Sequence, residues 1–328
     1  MRCLVKLLSL LAALPLLYVT NFVYAGDLPL DAFASRVEIR PFNSLTLTDE
    51  QFLKGDQNGA NVTLAGELRL PRESSAAKLP VVIILHGSGG INAATLNWSY
   101  ELNRAGIASF VVDSFSGRGL SQVSTDQAKL GRFAGVLDAF RAYEELAKHP
   151  RIDASKVALI GTSRGGTGVI YTAMKRFQKT WSPQFHALAS FPLYPSCFDR
   201  LEQDLDLTMP IHAFHGELDD YASKDQCKAW LKRVADSGGK ATNVEYKNAQ
   251  HSFDNLLSSQ TPAISKGSQS TRLCHIEERS GARFNIEQNK PFAYTDQCVT
   301  LDPKTGYDPE ASIAVHEAVI KELKQLFK

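Results

Sequence analysis

The sequence predicts an α/β fold, a mostly parallel central sheet with helices on both faces, and three observations carry that prediction. Short continuous apolar runs at residues 81–85, 109–112 and 157–160 suit strands covered on both sides. Helical patterns at 93–104 and 126–148 lie between them, and alternating strands and helices build parallel sheets through right-handed crossovers. The run at 157–160 passes through Gly161-Thr162-Ser163-Arg164-Gly165 directly into Gly166-Thr167-Gly168-Val169-Ile170-Tyr171, which reads as strand, sharp turn, helix.

Taken in order, the chain opens on Met1-Arg2-Cys3-Leu4-Val5-Lys6, an apolar stretch at 7–19, and Val23-Tyr24-Ala25 before Gly26. A positive start, a short apolar core and small residues at a cleavage point predict a signal peptide over 1–25 and an exported, periplasmic or secreted, protein. The apolar stretch falls short of the roughly 20 residues that a spanning helix needs. Pro15 also interrupts it, so no stable membrane anchor is expected after cleavage. A single α/β domain is then expected over 26–328. Residues 60–70 alternate as a strand, and after the elements named above come a helix at 164–179 and strands at 187–193 and 210–214. A helix at 224–235, a strand at 243–246 and a final helix at 313–327 complete the pattern. Residues 255–309 break the rhythm. They are rich in Ser, Gln, Asn, Gly and charge, where a doubly wound fold passes from strand to helix within a handful of residues, so they are read as an inserted loop or small cap.

With 36 basic and 35 acidic residues the net charge is +1, which provides no field for a nucleic acid, and none is expected as a partner. Export leaves four cysteines, Cys197, Cys227, Cys274 and Cys298, in a compartment where disulfides persist. They allow three pairings; short local loops favour Cys197 with Cys227 and Cys274 with Cys298. No C-x-x-C is present, and His212 and His215, three apart on a strand, point to opposite faces, so no metal is expected.

A serine hydroxyl is a poor nucleophile until an adjacent base activates it, and that base needs an orienting carboxylate. Ser163 occupies the apex of the glycine-flanked turn, where its hydroxyl is lifted clear of the sheet. Downstream, the strand at 210–214 runs into His215-Gly216-Glu217-Leu218-Asp219-Asp220, where Asp219 is the candidate acid, Asp220 a close competitor and Glu217 a more distant one. After the next strand comes Ala249-Gln250-His251, and His251 is the candidate base. Both sit beyond the carboxyl ends of strands, where open α/β sheets gather their sites. An oxyanion needs backbone donors. The glycine-rich His86-Gly87-Ser88-Gly89-Gly90 supplies the Ser88 amide, or the Gly89 amide in its place, to join that of Arg164 just past the serine.

Five blocks together resemble the dienelactone hydrolase family of α/β-hydrolases. They are Leu85-His86-Gly87-Ser88-Gly89-Gly90, Asp113-Ser114-Phe115-Ser116-Gly117-Arg118-Gly119, Ile160-Gly161-Thr162-Ser163-Arg164-Gly165-Gly166, His215-Gly216-Glu217-Leu218-Asp219 and His251-Ser252-Phe253. The resemblance runs from about residue 62 to 254 and returns in the last helix. It implies an α/β-hydrolase fold, a Ser163, Asp219, His251 triad, and hydrolysis of a small-molecule carboxylic ester or lactone through an acyl-enzyme, with no cofactor. The namesake enzymes use cysteine as nucleophile, so Ser163 places the chain nearer a serine-bearing, exported branch. A serine peptidase or amidase of the same fold would share the triad, and a binding protein that kept the fold without catalysis is the reading from another class.

Several residues admit two roles. Arg118 and Arg164 near the mouth either grip an acidic substrate or serve structure, Arg118 by tying its loop to a carboxylate and Arg164 by facing solvent or capping the helix. Phe115, Tyr194 and Tyr221 either line an acyl pocket or belong to the core. The insert leaves the chain just past His251 and so begins at the rim of the site, where it is either a lid, held compact by a Cys274–Cys298 bridge, that shapes substrate choice or a polar surface decoration.

Overall fold

Eight strands form the central sheet in the order β1-β2-β4-β3-β5-β6-β7-β8. In chain order they are β1 (Ala34–Thr46), β2 (Ala60–Pro71), β3 (Leu79–Leu85), β4 (Ala108–Asp113), β5 (Ile152–Thr162), β6 (Ser190–Leu193), β7 (Ile211–Gly216) and β8 (Ala241–Tyr246). The structure is a computed structural model and describes residues 34–72 and 77–328; the signal peptide expected over 1–25 lies outside the described residues. β2 pairs antiparallel with both β1 and β4, and from β4 to β8 every pairing is parallel. The continuous apolar runs are the strands at the centre of this order: Val81, Val82, Ile83 and Ile84 of β3 are all fully buried, because helices cover both faces.

On one face the core packs β-strand residues such as Leu68, Phe110 and Leu159 against α3 (Ala134–Leu146) and α4 (Arg164–Thr172), with α1 (Asp49–Lys54) and α5 (Lys175–Trp181) alongside. On the other, Ile84, Val111 and Ile160 meet Trp98 and Leu102 of α2 (Ala93–Arg104) and Val315, Val319 and Leu323 of α7 (Pro309–Leu326). The remaining helix, α6 (Lys224–Asp236), is N-capped by Ser223. Among the described residues no helix is long and apolar enough to cross a membrane.

Three elements depart from the sequence reading. β1, to which the sequence reading assigned no element, is an edge strand: it carries Arg36, Glu38, Arg40 and Pro41, as suits an edge that must not recruit further strands. The helix expected from 126 begins at Ala134: before it Gln127–Lys129 form only a short 3₁₀ turn, while Gln127 bonds to Gln269 and the Arg132 amide to Asp49. The helix expected over 164–179 is two, split where Met174 turns extended and bridges to Leu207.

The insert carries short strands of its own. Ile276–Arg279 and Ala282–Asn285 form a hairpin that pairs with Lys290–Pro291 on one side and, in parallel, with Asp199–Arg200 of the main body on the other. Disulfides join Cys197 to Cys227 and Cys274 to Cys298, the pairing that the short loops favoured.

Candidate active site

Ser163 stands where β5 turns into α4, with φ 53° and ψ −116°. A non-glycine residue with such a φ is held there only by its surroundings, at a cost of order 1–3 kcal/mol. The turn admits nothing larger than glycine beside it. A Cβ on Gly161 would lie 2.2 Å from the Gly165 carbonyl oxygen, and one on Gly165 would lie 2.2 Å from that of Leu85. The Ser163 amide donates to the Leu193 carbonyl at 2.9 Å, and the Thr167 amide closes the first helical turn on the Ser163 carbonyl at 3.0 Å.

The ends of β7 and β8 deliver the partners. His251 Nε2 lies 2.9 Å from Ser163 Oγ, and His251 Nδ1 lies 2.8 Å from Asp219 Oδ2. The other Asp219 oxygen accepts the backbone amides of Tyr221 and Ala222 at 2.8 and 2.9 Å, which fixes the carboxylate with one oxygen toward the ring. A carboxylate at Nδ1 selects the tautomer with its proton there, leaving Nε2 free to accept the serine proton. The His251 and Asp219 side chains are buried, and Tyr194 and Tyr221 pack against the imidazole with ring centroids at 4.7 and 4.5 Å. Asp220, the close competitor, faces the insert: Oδ1 accepts the Lys304 amide at 2.7 Å. Glu217 is exposed.

Behind the imidazole is a pair that sequence reasoning missed. Asp254, fully buried, accepts from Tyr194 Oη at 2.6 Å and from Trp98 Nε1 at 2.9 Å. Burial, with Asp254 beside it, pushes the Tyr194 phenol well above its ordinary pKa, so it stays a donor. Asp254 thus ties Tyr194, which packs on the imidazole, to Trp98 of α2, and the only cue in the sequence is an Asp three residues past His251.

The loop from His86 to Gly90 lies beside the serine; a Cβ on Gly87 would be 3.3 Å from Ser163 Cβ. His86 packs this loop. Its Nε2 accepts the Ser114 amide at 3.3 Å and its Nδ1 donates to the Gly87 carbonyl at 2.8 Å, an arrangement only the neutral ring can make. Burial lowers its pKa accordingly. Ser88 follows on the same loop, and its Oγ donates to Gln127 Oε1 at 3.3 Å. The amide of Arg164 is the first of α4, beyond reach of any intrahelical carbonyl.

Both arginines are engaged within the fold. Arg118 is spent on Asp138 through two bonds of 2.7 and 2.9 Å and on the carbonyls of Ser114 and Leu45. Arg164, expected at solvent or at the helix cap, is instead buried, with its guanidinium on Gln127 Oε1 and on the carbonyls of Leu130 and Gly131. Phe115 and Tyr194 are core residues, and Tyr221 is half-buried against His251.

A cavity of about 570 Å³ opens between the insert and the body, lined among others by Leu47, Gln127, Leu130, Arg283, Phe292 and Tyr294. Arg283 Nη2 and Tyr294 Oη are buried there without a hydrogen-bond partner among the described residues.

The sequence model of the dienelactone hydrolase family matches residues 65–274. Among solved structures, a dienelactone hydrolase-like promiscuous phosphotriesterase from metagenomic libraries superposes with a TM-score of 0.60 at 18% identity, covering 89% of this chain and 99% of the other. A thermostable esterase from Pseudomonas putida superposes with a TM-score of 0.54 at 14% identity, covering 90% of this chain and 84% of the other. At these identities the likeness is one of fold. No curated protein shows significant similarity to the sequence.

Proposed function

The chain belongs to the dienelactone hydrolase family, and on that basis we propose that it hydrolyses carboxylic esters or lactones through a Ser163, His251, Asp219 triad. The observation that carries the reading is the unbroken chain from Ser163 Oγ to His251 Nε2 at 2.9 Å and from Nδ1 to Asp219 at 2.8 Å, with the serine on a turn of positive φ. His251 takes the proton of Ser163 as Oγ attacks the ester carbon, and Asp219 steadies the imidazolium that results. The Ser88 and Arg164 amides are assigned to the oxyanion. His251 then returns the proton to the leaving alcohol. In the second half-reaction His251 takes a proton from water as the water oxygen attacks the acyl carbon, the bond from that carbon to Ser163 Oγ breaks to release the acid, and His251 returns the proton to Oγ.

Ser163→Ala is expected to lower kcat/KM on p-nitrophenyl esters by a factor on the order of 10⁴ or more without changing the fold. It is also expected to abolish labelling by a fluorophosphonate. Retained turnover in that variant rejects the assignment. The two disulfides point to an extracellular or periplasmic location. Export by cleavage after Ala25, which leaves one α/β domain with the 255–309 insert, is part of the same proposal, and sequencing the mature amino terminus from Gly26 tests it.

A further inference from the structure

Gln127 occupies a short 3₁₀ turn, Gln127–Lys129, between β4 and α3, and is almost fully buried. Every polar group of its side chain is engaged, by partners from three distant segments. Its Oε1 accepts from Ser88 Oγ at 3.3 Å and from Arg164 Nη1 at 3.1 Å. Its Nε2 donates to the Gln269 carbonyl at 2.9 Å, and its backbone amide donates to Gln269 Oε1 at 2.8 Å. Ser88 belongs to the oxyanion loop, Arg164 to the turn that carries the nucleophile, and Gln269 to the insert.

We infer that Gln127 is a positioning residue: it holds the two oxyanion donors in register and makes their placement depend on the docked insert. This rests on the reading of Ser163 as nucleophile given above. Oxyanion donors act through placement, and errors well under 1 Å are costly. The loop that carries the Ser88 amide is glycine-rich and open at Gly89, where a Cβ would meet nothing within 4 Å. Its rigidity must come from neighbours, and the segment around Gln127 supplies it: the Val123 amide donates to the Ser88 carbonyl at 2.8 Å, beside the bond to Gln127. The same segment is gripped by the insert, whose Gln269 amide donates to the Ser124 carbonyl at 2.8 Å. The insert therefore acts on the reacting centre through Gln127 without having to touch the substrate.

The test uses the full mature chain and p-nitrophenyl acetate, whose acyl group is among the smallest. Gln127→Met keeps the volume of the side chain and removes its hydrogen bonds. Gln269→Met removes the acceptor for the Gln127 amide, whereas Gln269→Glu keeps it. Gln127→Met is expected to lower kcat by roughly 10- to 100-fold, a loss of positioning rather than binding, with KM nearly unchanged. Gln269→Met is expected to lower kcat by a smaller factor, Gln269→Glu to recover most of that loss, and the double Met variant to be no slower than Gln127→Met alone.

An insert that serves only as a wall for the substrate gives a different result: acetate turnover is unchanged and KM rises only for long acyl chains. That outcome overturns the inference, and so does strict additivity in the double variant. If Gln127→Met does not fold, the Gln269 pair decides by itself. Labelling of Ser163 by a fluorophosphonate is measured alongside. An unlabelled parent protein overturns the triad and this inference together, while a labelled parent with unaltered acetate turnover in the variants overturns only the role of Gln127.

Discussion

Asp219 and Asp220 are neighbours with the same side chain, and the backbone alone separates their roles. Asp219 turns back on the amides of Tyr221 and Ala222 and presents one oxygen to His251, whereas Asp220 turns out to the Lys304 amide of the insert. Asp219→Asn keeps the shape but favours the wrong imidazole tautomer. Turnover is expected to fall by about 10⁴-fold, and a loss of comparable size in Asp220→Asn would reverse the assignment. His86 and His215 are held neutral by burial, their pKa values lowered from 6.5. As pH falls below that value the unfolded chain takes up protons that the folded one resists. Their contribution to stability is thus complete above the unfolded pKa and is lost as pH falls through the lowered folded values. Melting temperature is expected to drop between about pH 7 and 5. A flat profile across that window would refute this. Arg118 serves the fold at Asp138: Arg118→Ala leaves a buried carboxylate and is expected to cost about 3–5 kcal/mol in denaturant unfolding.

The elements that were legible in the sequence are those whose signal is local. The runs 81–85, 109–112 and 157–160 are buried on both faces and could be read without knowing their neighbours. Ser163, Asp219 and His251 follow strand ends, so their meeting point followed from the topology. What was not legible depends on partners far along the chain. Residues 126–133 have helical composition, yet Gln127 bonds to Gln269 and the Arg132 amide to Asp49, so the helix starts only at Ala134. β1 alternates from Arg36 to Arg40 but carries Pro41 at its middle, which breaks the very pattern by which strands are recognised. In the insert, the Cys274–Cys298 bridge closes a separation of 24 residues around the hairpin. Replacing both cysteines by Ala is expected to cost roughly 3 kcal/mol. The loss should concentrate in the insert, as faster amide exchange over 269–301, while exchange in β3 and β5 stays slow.

Across the whole molecule the insert is attached by buried charge as well as by strands. Arg283, from the hairpin, donates at 2.9 Å both to Asp199 and to Asp49, two carboxylates from separate parts of the body. In the reverse sense, Arg176 of α5 pairs with Glu278 of the hairpin. Arg283→Met is expected to destabilise the protein by about 3–5 kcal/mol, because both carboxylates lose their cationic partner. Shortening the insert is expected to change preference among ester chain lengths, measured on a p-nitrophenyl series; identical kinetics on every ester would refute that role. The path of the insert is a detour with joined ends. The His251 carbonyl accepts the Gly306 amide at 3.1 Å, and the Phe253 carbonyl accepts the Asp308 amide at 2.9 Å, just before α7 begins. The chain returns to the point it left, so the sheet and α7 register the same connection whatever lies between, and loop length itself adds little closure cost. Residues 254 and 308 are therefore a natural splice site, at which a foreign cap can be exchanged for this one while the sheet beneath keeps its geometry.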